Sequence, residues 1–195
     1  MKNDDTDIKM MADVYNLLEV PEDKFVELDL GCGKGRFTVE LAQMYPDRFI
    51  IAVDVLIGRL RKLSNKITRL NIENMKLLKC DAWQLISHCF RDYSLNRVHF
   101  LCPDPWPKEK QRHNRLVSSE FVGRIYNKLR FNGTFHFSSD DKNYFKYVNT
   151  VFANSGMFEI DNERIDDVSQ IKTDFELLWN EMGLPVNHIA WRKLL

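Results

Sequence analysis

Short apolar runs alternate with longer amphipathic stretches along the chain. The runs KFVELDL (24–30), RFIIAVDV (48–55), MKLLKC (75–80), RVHFLC (97–102) and GTFHFSS (133–139) have the length and composition of strands. Between them the pattern predicts helices near 35–44, 57–70, 83–90, 118–129 and 141–154. Residues 155–172 predict a late strand and an acidic surface connection, followed by a helix over 174–182 and a strand over 187–191. Strands and helices in this order predict an α/β fold, with a mostly parallel seven-stranded sheet and helices on both faces. Right-handed crossovers then gather the strand ends, and the loops after them, along one edge of the sheet, where ligands bind. Residues 1–20 read as an N-terminal arm with one short helix. No repeat, low-complexity tract or linker divides residues 1–195 into more than one domain.

Composition narrows the class. Hydrophobic residues make up 44% and aromatic residues 12% of the chain, which fits a folded domain with one substantial core and excludes a disordered one. No apolar run approaches the ~18 residues that a membrane-spanning helix requires. The first residues carry too many acids, and too short an apolar core, for a secretory signal, so a cytoplasmic protein is expected. Cys32, Cys80, Cys89 and Cys102 form no CxxC pair and lie in or beside apolar segments, as expected of reduced thiols. The five histidines show no HExxH or HxH spacing, so no metal site is expected. Lys and Arg together number 28, as do Asp and Glu. A chain without net charge has to meet any polyanion through a local patch.

Candidate chemistry starts at ELDLGCGKGRF (27–37). A strand ends at Asp29-Leu30, and Gly31, Gly33 and Gly35 precede a helix, where glycine permits positive φ and close approach of a ligand to the backbone. Arg36 stands where a dinucleotide-binding GxGxxG fingerprint has its third glycine, which disfavours NAD. Asp54 closes the second strand, where a carboxylate can accept both hydroxyls of a ribose, and Asp81 follows the third. Each of these acids alone also reads as a helix cap or a solvated loop residue. The GxGxG spacing with Asp29 before it resembles the first motif of the class I S-adenosylmethionine-dependent methyltransferases. That resemblance implies a Rossmann-like fold and S-adenosyl-L-methionine as cofactor. It also implies that Asp29, Gly31, Gly33, Gly35, Asp54, Asp81 and Ala82 hold the cofactor.

The second signal is PDPWPKEKQRHNR (103–115), directly after the fourth strand. Pro103, Pro105 and Pro107 fix φ and deny helix, leaving a stiff loop that aims Asp104 and Trp106. Trp106 by itself reads as a brace packed into the core. Lys108, Lys110, Arg112 and Arg115 against Glu109 give a local charge of 4 − 1 = +3, with His113 neutral. Such a cluster serves either as a solvated face or as a set of phosphate contacts, and Arg36, Arg59, Arg61 and Lys62 would extend it. TDFE (173–176) reads as a capping box, and Asp140 in SSD (138–140) as the cap of the next helix.

Taken in order, PDPWP with its basic run, SSD and TDFE resemble the transfer RNA guanine-N7 methyltransferase family, from about Phe25 to Trp191. The resemblance implies that Asp104 acts at the catalytic centre and borders the cofactor. It implies that Lys108, Lys110, Arg112, His113 and Arg115 contact tRNA, and that Asp140, Thr173, Asp174, Phe175 and Glu176 hold the region of the substrate guanosine. Methyl transfer to N7 of a tRNA guanosine, the variable-loop residue usually numbered 46, follows from it, by a monomer or a homodimer. On the residues alone two other readings stay open. One is a methyltransferase for a small molecule or protein, which leaves the basic run unused. The other is a noncatalytic RNA-binding module with a vestigial nucleoside fold.

Overall fold

The computed structural model describes residues 8–10 and 17–195. Eight strands form one sheet: β1 (Ile8–Met10), β2 (Val26–Leu30), β3 (Phe49–Asp54), β4 (Met75–Lys79), β5 (Leu95–Leu101), β6 (Leu129–Ser139), β7 (Phe158–Ile160) and β8 (Asn187–Lys193). Their order across the sheet is β1-β4-β3-β2-β5-β6-β8-β7. The strands from β1 to β6 pair in parallel, and β8 runs antiparallel between β6 and β7. All seven expected strands are present. The additional one, β1, comes from the segment expected as an arm with a short helix, and sets Ile8 opposite Leu77 of β4. Ile8 is buried with Leu60, Leu63 and Leu77, so this edge strand covers apolar surface that β4 alone would leave open. Residues 1–7 and 11–16, where the expected helix would fall, lie outside the described residues.

The helices are α1 (Arg36–Met44), α2 (Ile57–Arg69), α3 (Ala82–Gln84), α4 (Ser119–Lys128), α5 (Lys142–Ser155) and α6 (Asp174–Glu181). α3 is a single turn that widens into a π-helical turn over Leu85–Cys89, where one regular helix was expected. α2 buries Leu60, Leu63 and Ile67, which recur at helical spacing on one face and pack toward Ala52 and Leu77 of the sheet.

The central strands have two unlike faces, because successive side chains point to opposite sides of a sheet. Leu28, Val98, Phe135, Phe137 and Trp191 enter the larger core, where Trp191 stacks on Phe152 with ring centroids 4.2 Å apart. Read from the sequence as short apolar runs, these strands turn Glu27 and Asp29, Arg97 and His99, and His136 and Ser138 to the other side, all buried. Phe37 of α1 lies edge-on to His99, and Glu176 of α6 reaches His188, so α1 and α6 cover that polar face. Sequence order reverses between β2 and β5, which lie side by side while β3 and β4 extend one way and β6 the other. In open α/β sheets the crevice at such a reversal, beyond the carboxyl ends of the strands, receives the ligand.

Candidate active site

At that reversal the ends of β2, β3 and β5 enclose a cleft of about 390 Å³, a size common for small-molecule sites. Asp29, Gly31, Gly33, Asp54, Ala82 and Asp104 line it, and Thr173, Asp174 and Phe175 close it from the start of α6. The glycine loop is held against β3, since Gly31 N and Cys32 N both donate to Val53 O, at 2.9 and 2.8 Å. Gly31, Gly33 and Gly35 have φ of 79°, 59° and 74°, a region that side chains disfavour. Their purposes differ. A Cβ on Gly31 would meet no atom within 4 Å, so this position faces open space in the cleft. A Cβ on Gly35 would fall 2.5 Å from Leu63 Cδ1, so Gly35, outside the cleft lining, lets α1 start close against α2.

The acids at the strand ends also divide. Asp54 is buried, accepting from Leu56 N (2.7 Å) through Oδ1 and from Gly33 N (3.1 Å) and Arg59 Nη1 (3.3 Å) through Oδ2. It thereby joins the glycine loop to the start of α2. Asp29 accepts from Thr38 Oγ1 at 2.5 Å. Burial pushes the Asp29 carboxyl above the usual carboxylate range, with the Thr38 hydrogen bond and the charge of His99 opposing. Asp81 is exposed and accepts from Trp83 N (2.9 Å) and Gln84 N (3.1 Å), capping α3. It is absent from the cleft lining, whereas its neighbour Ala82 is part of it.

Asp104 is exposed at the rim, on a loop whose backbone is set by unusual means. Cys102 and Trp106 both have positive φ, 46° and 45°, on either side of the Pro103–Pro105 segment. Cys102 N donates to Ser138 O (3.0 Å) and to Ser138 Oγ (3.2 Å). Arg115 Nε donates to Pro105 O at 2.8 Å, and its guanidinium lies 4.7 Å from the Tyr144 ring centroid. Arg115, expected to contact tRNA, holds the Asp104 loop. Trp106, expected as the brace, is half-buried and belongs to none of the core clusters of the described residues. The bracing is done by Arg115.

Of the other predicted substrate residues, Lys108, Lys110, Arg112, His113, Asp140 and Glu176 stand outside the cleft lining. Lys108, Lys110, Arg112 and His113 are exposed, on a 3-10 turn over Glu109–Asn114 and just before it. Arg112 and Arg115 line a second hollow with Pro107, Asp141, Asn143 and Tyr147. Asp141, not Asp140, caps α5 by accepting from Tyr144 N at 2.7 Å. Asp140 is half-buried, and its charge acts on the Cys102 thiol of the cleft, which burial first of all pushes up. Thr173 caps α6 by accepting from Glu176 N at 3.0 Å. Only this half of the expected capping box forms, because the Glu176 carboxylate turns to Lys172 Nζ (2.7 Å) and His188 Nε2 (3.2 Å) instead. Burial would raise the Glu176 pKa, but these two partners lower it, and Oε2 has no partner among the described residues.

Several lining residues went unforeseen: Cys32, Lys34, Cys80, Phe100, Cys102 and Leu178. All but Leu178 lie at or just beyond a strand end, a signal that was available. Arg36 and Arg59, expected to extend the basic patch, line the cleft and pair with Glu40 (3.0 Å) and Asp54.

A family model described as "Putative methyltransferase" matches residues 23–189. A tRNA (guanine-N(7)-)-methyltransferase of Chlorobium phaeobacteroides is 30% identical over 171 residues, spanning 88% of this chain and 82% of that protein. One of Mycoplasma genitalium is 32% identical over 182 residues, spanning 88% of this chain and 86% of that protein. Among solved structures, the 16S rRNA methyltransferase KamB superposes with a TM-score of 0.64 at 15% identity, over 88% of this chain and 89% of that one. An rRNA methylase from Streptococcus thermophilus gives 0.59 at 20% identity, over 89% of both chains. At such identities the likeness concerns the fold, which is the Rossmann-like fold of class I methyltransferases. The match across residues 23–189 and the relatives at 30% and 32% identity agree, and the chain belongs to the tRNA (guanine-N7-)-methyltransferase family.

Proposed function

We propose that this protein transfers the methyl group of S-adenosyl-L-methionine to N7 of a guanosine in tRNA, the variable-loop guanosine 46. The observation that carries the reading is that Asp104, on its braced loop, opens onto the same cleft as the glycine loop and the Thr173–Phe175 turn. The residues present suit the cofactor: the space beside Gly31 is one that a Cβ would fill, and the cleft has the volume for a nucleoside. S-adenosyl-L-methionine supplies a methyl group already activated on a sulfonium. Asp29, Gly31, Gly33, Asp54 and Ala82 hold it, while Gly35 and Asp81 shape the loop and the α3 turn around it.

Guanine N7 carries a lone pair and no proton, so no side chain has to remove one. What remains is alignment, the kind of task that a stiff backbone performs. The Asp104 carboxylate accepts hydrogen bonds from the N1 and N2 edge of the base and offsets the positive charge that the base acquires. A base buried in tRNA leaves its stack at a cost of a few kcal/mol. Lys108, Lys110, Arg112 and His113 supply phosphate contacts beside the cleft, where a protein without net charge concentrates its positive potential. Asp140 and Glu176 support the guanosine end from outside the lining.

The test is transfer of labelled methyl into unmodified tRNA, with the modified base mapped. Asp104→Ala is expected to lower kcat by about 100-fold or more while leaving the Kd of S-adenosyl-L-methionine within about twofold. Turnover near the parental rate would remove Asp104 from the centre. Unlabelled tRNA alongside a labelled small molecule or protein would replace the substrate assignment.

A further inference from the structure

The polar face of the sheet carries an arrangement that methyl transfer does not account for. Glu27 of β2, His99 of β5, His136 of β6 and His188 of β8 stand on adjacent strands, and Glu176 of α6 packs over the last. Glu27 Oε2 lies 2.8 Å from His99 Nε2, and His99 Nδ1 lies 3.0 Å from His136 Nδ1. His136 Nε2 lies 3.0 Å from His188 Nδ1, and His188 Nε2 lies 3.2 Å from Glu176 Oε1. Glu27, His99, His136 and Glu176 are all at most 2% exposed. Each ring uses both nitrogens within the string. Among the described residues no group of His, Cys, Asp and Glu is placed to hold a metal ion.

Proton counting makes this string unusual. Each contact needs one hydrogen, the string has four contacts, and three neutral imidazoles bring three hydrogens. With both carboxylates ionised, one contact would set two lone pairs against each other in a buried site, which is expensive. A fourth proton on any of the three rings removes the conflict, and the burial that keeps His136 neutral leaves two placements. Either His99 is the cation, donating to Glu27 and His136 while His136 donates to His188. Or His188 is the cation, donating to Glu176 and His136 while His136 donates to His99. One state becomes the other when a proton passes from His99 Nδ1 to His136 Nδ1 and another from His136 Nε2 to His188 Nδ1. No ring has to turn, and all four contacts stay satisfied.

The surroundings keep the proton on a ring. At one end Arg48 and Arg97 face Glu27 at 2.8 and 3.4 Å, with Asp29 and Asp167 nearby. At the other end Lys172 pairs with Glu176, and the Cys102 thiol feels its charge. Burial would raise Glu27, but the His99 hydrogen bond and the charges of His99 and Arg97 bring it down to about 2. Burial, with the charges of His99, His188, Arg97 and Lys172, pushes His136 well below the usual histidine range, so the middle ring is neutral.

We propose that His99, His136 and His188 are positioning residues that share one excess proton between the Glu27 and Glu176 carboxylates, and that this proton fixes Glu176, and with it the Thr173–Phe175 turn, at the mouth of the cleft. The link to catalysis rests on the reading that this turn receives the guanosine; the shared proton does not.

Two measurements test it. In the full chain with isotope-labelled histidine, ring-nitrogen NMR at neutral pH is expected to show a single extra proton on His99 or His188, or averaged between them, with His136 neutral. Exposed His88 and His113 are assigned by substitution. Three neutral buried rings, or two cationic ones, would overturn the proposal. His99→Gln combined with His188→Gln keeps an N–H for each carboxylate but leaves no outer ring to hold the extra proton. The KM of this double variant for tRNA is expected to rise about tenfold, with the Kd of S-adenosyl-L-methionine unchanged and the parental pH dependence of kcat/KM flattened. A parental KM and pH profile in that variant would remove the positioning role. Should the unsubstituted protein leave tRNA unmethylated, the functional reading fails while the NMR result still decides where the proton is.

Discussion

Glycines that look alike in a motif can act through different physics, and Gly31 and Gly35 separate the two kinds. Both have left-handed backbones, so alanine at either costs about 1–2 kcal/mol. At Gly35 the new methyl would also meet buried Leu63 at 2.5 Å. Gly35→Ala is therefore expected to lower stability by roughly 2–4 kcal/mol, read as a drop in the urea midpoint. Gly31→Ala meets no atom within 4 Å and should lose only the backbone share of stability, while filling space in the cleft. Its effect belongs in calorimetry, as a loss of about tenfold or more in affinity for S-adenosyl-L-methionine. Equal midpoints for the two variants would mean that Leu63 yields without cost. Equal cofactor affinity for Gly31→Ala and the parent would move the cofactor away from the loop.

At the scale of an element, the Asp104 loop depends on a side chain ten residues further along. The prolines stiffen the loop internally, but its attachment to the rest of the molecule comes from Cys102 on Ser138 and from Arg115 on Pro105 O. A guanidinium can donate sideways from Nε while its plane rests on Tyr144, and an ammonium cannot. Arg115→Lys retains the charge, so a mere phosphate contact would survive it. The expected result is instead a drop in kcat of about tenfold, because a displacement of about 1 Å can cost more than that, with cofactor affinity unchanged. Arg112→Ala, by contrast, should alter KM for tRNA and its salt dependence and leave kcat alone. Parental kcat in Arg115→Lys would assign Arg115 back to the RNA surface.

These elements also mark how far the sequence can be read. Strand ends, the glycine loop and Asp104 were legible because they depend on local chemistry and on the rule that parallel strands finish at one edge. Thr173 was legible as a cap, but the turning away of Glu176 was not, since His188 approaches from twelve residues later. Arg115 looked like one more cation in a basic run, and only the return of the chain past Pro105 shows its use. RVHFL, TFHFS and NHIAW each alternate a histidine with apolar neighbours, which was a readable sign of a polar face. That the histidines meet depends on strand order and register, with His99 directly opposite His136, and neither is written in any one segment.

For the whole molecule, the polar face makes stability a function of pH through Glu27. This buried carboxylate joins Arg48, Arg97 and His99, and so ties together β2, β5 and the start of β3. Its pKa falls from 4.5 in the unfolded chain to about 2 in the fold, where burial opposes the shift and the His99 hydrogen bond and neighbouring cations outweigh it. A lowered folded pKa gives stability that is present above pH 4.5 and is lost as the pH falls toward 2. The shift corresponds to a contribution on the order of 3 kcal/mol. Asp29, two residues along the same face, has the opposite sign. Its raised pKa means that protonation favours the fold, which offsets part of the acid loss. The parental curve therefore mixes the two, and the Glu27 share is isolated by the difference from Glu27→Gln. That variant leaves Arg97 and His99 buried beside a neutral amide and should be about 3–5 kcal/mol less stable at neutral pH. The gap between its urea midpoints and the parental ones should close as the pH falls below 4.5. A gap that stays constant over that range would mean that Glu27 matters for its shape rather than for its charge. The cation cluster around it would then have to be balanced by Asp167 alone, which is part-exposed and reaches Arg97 at 3.0 Å.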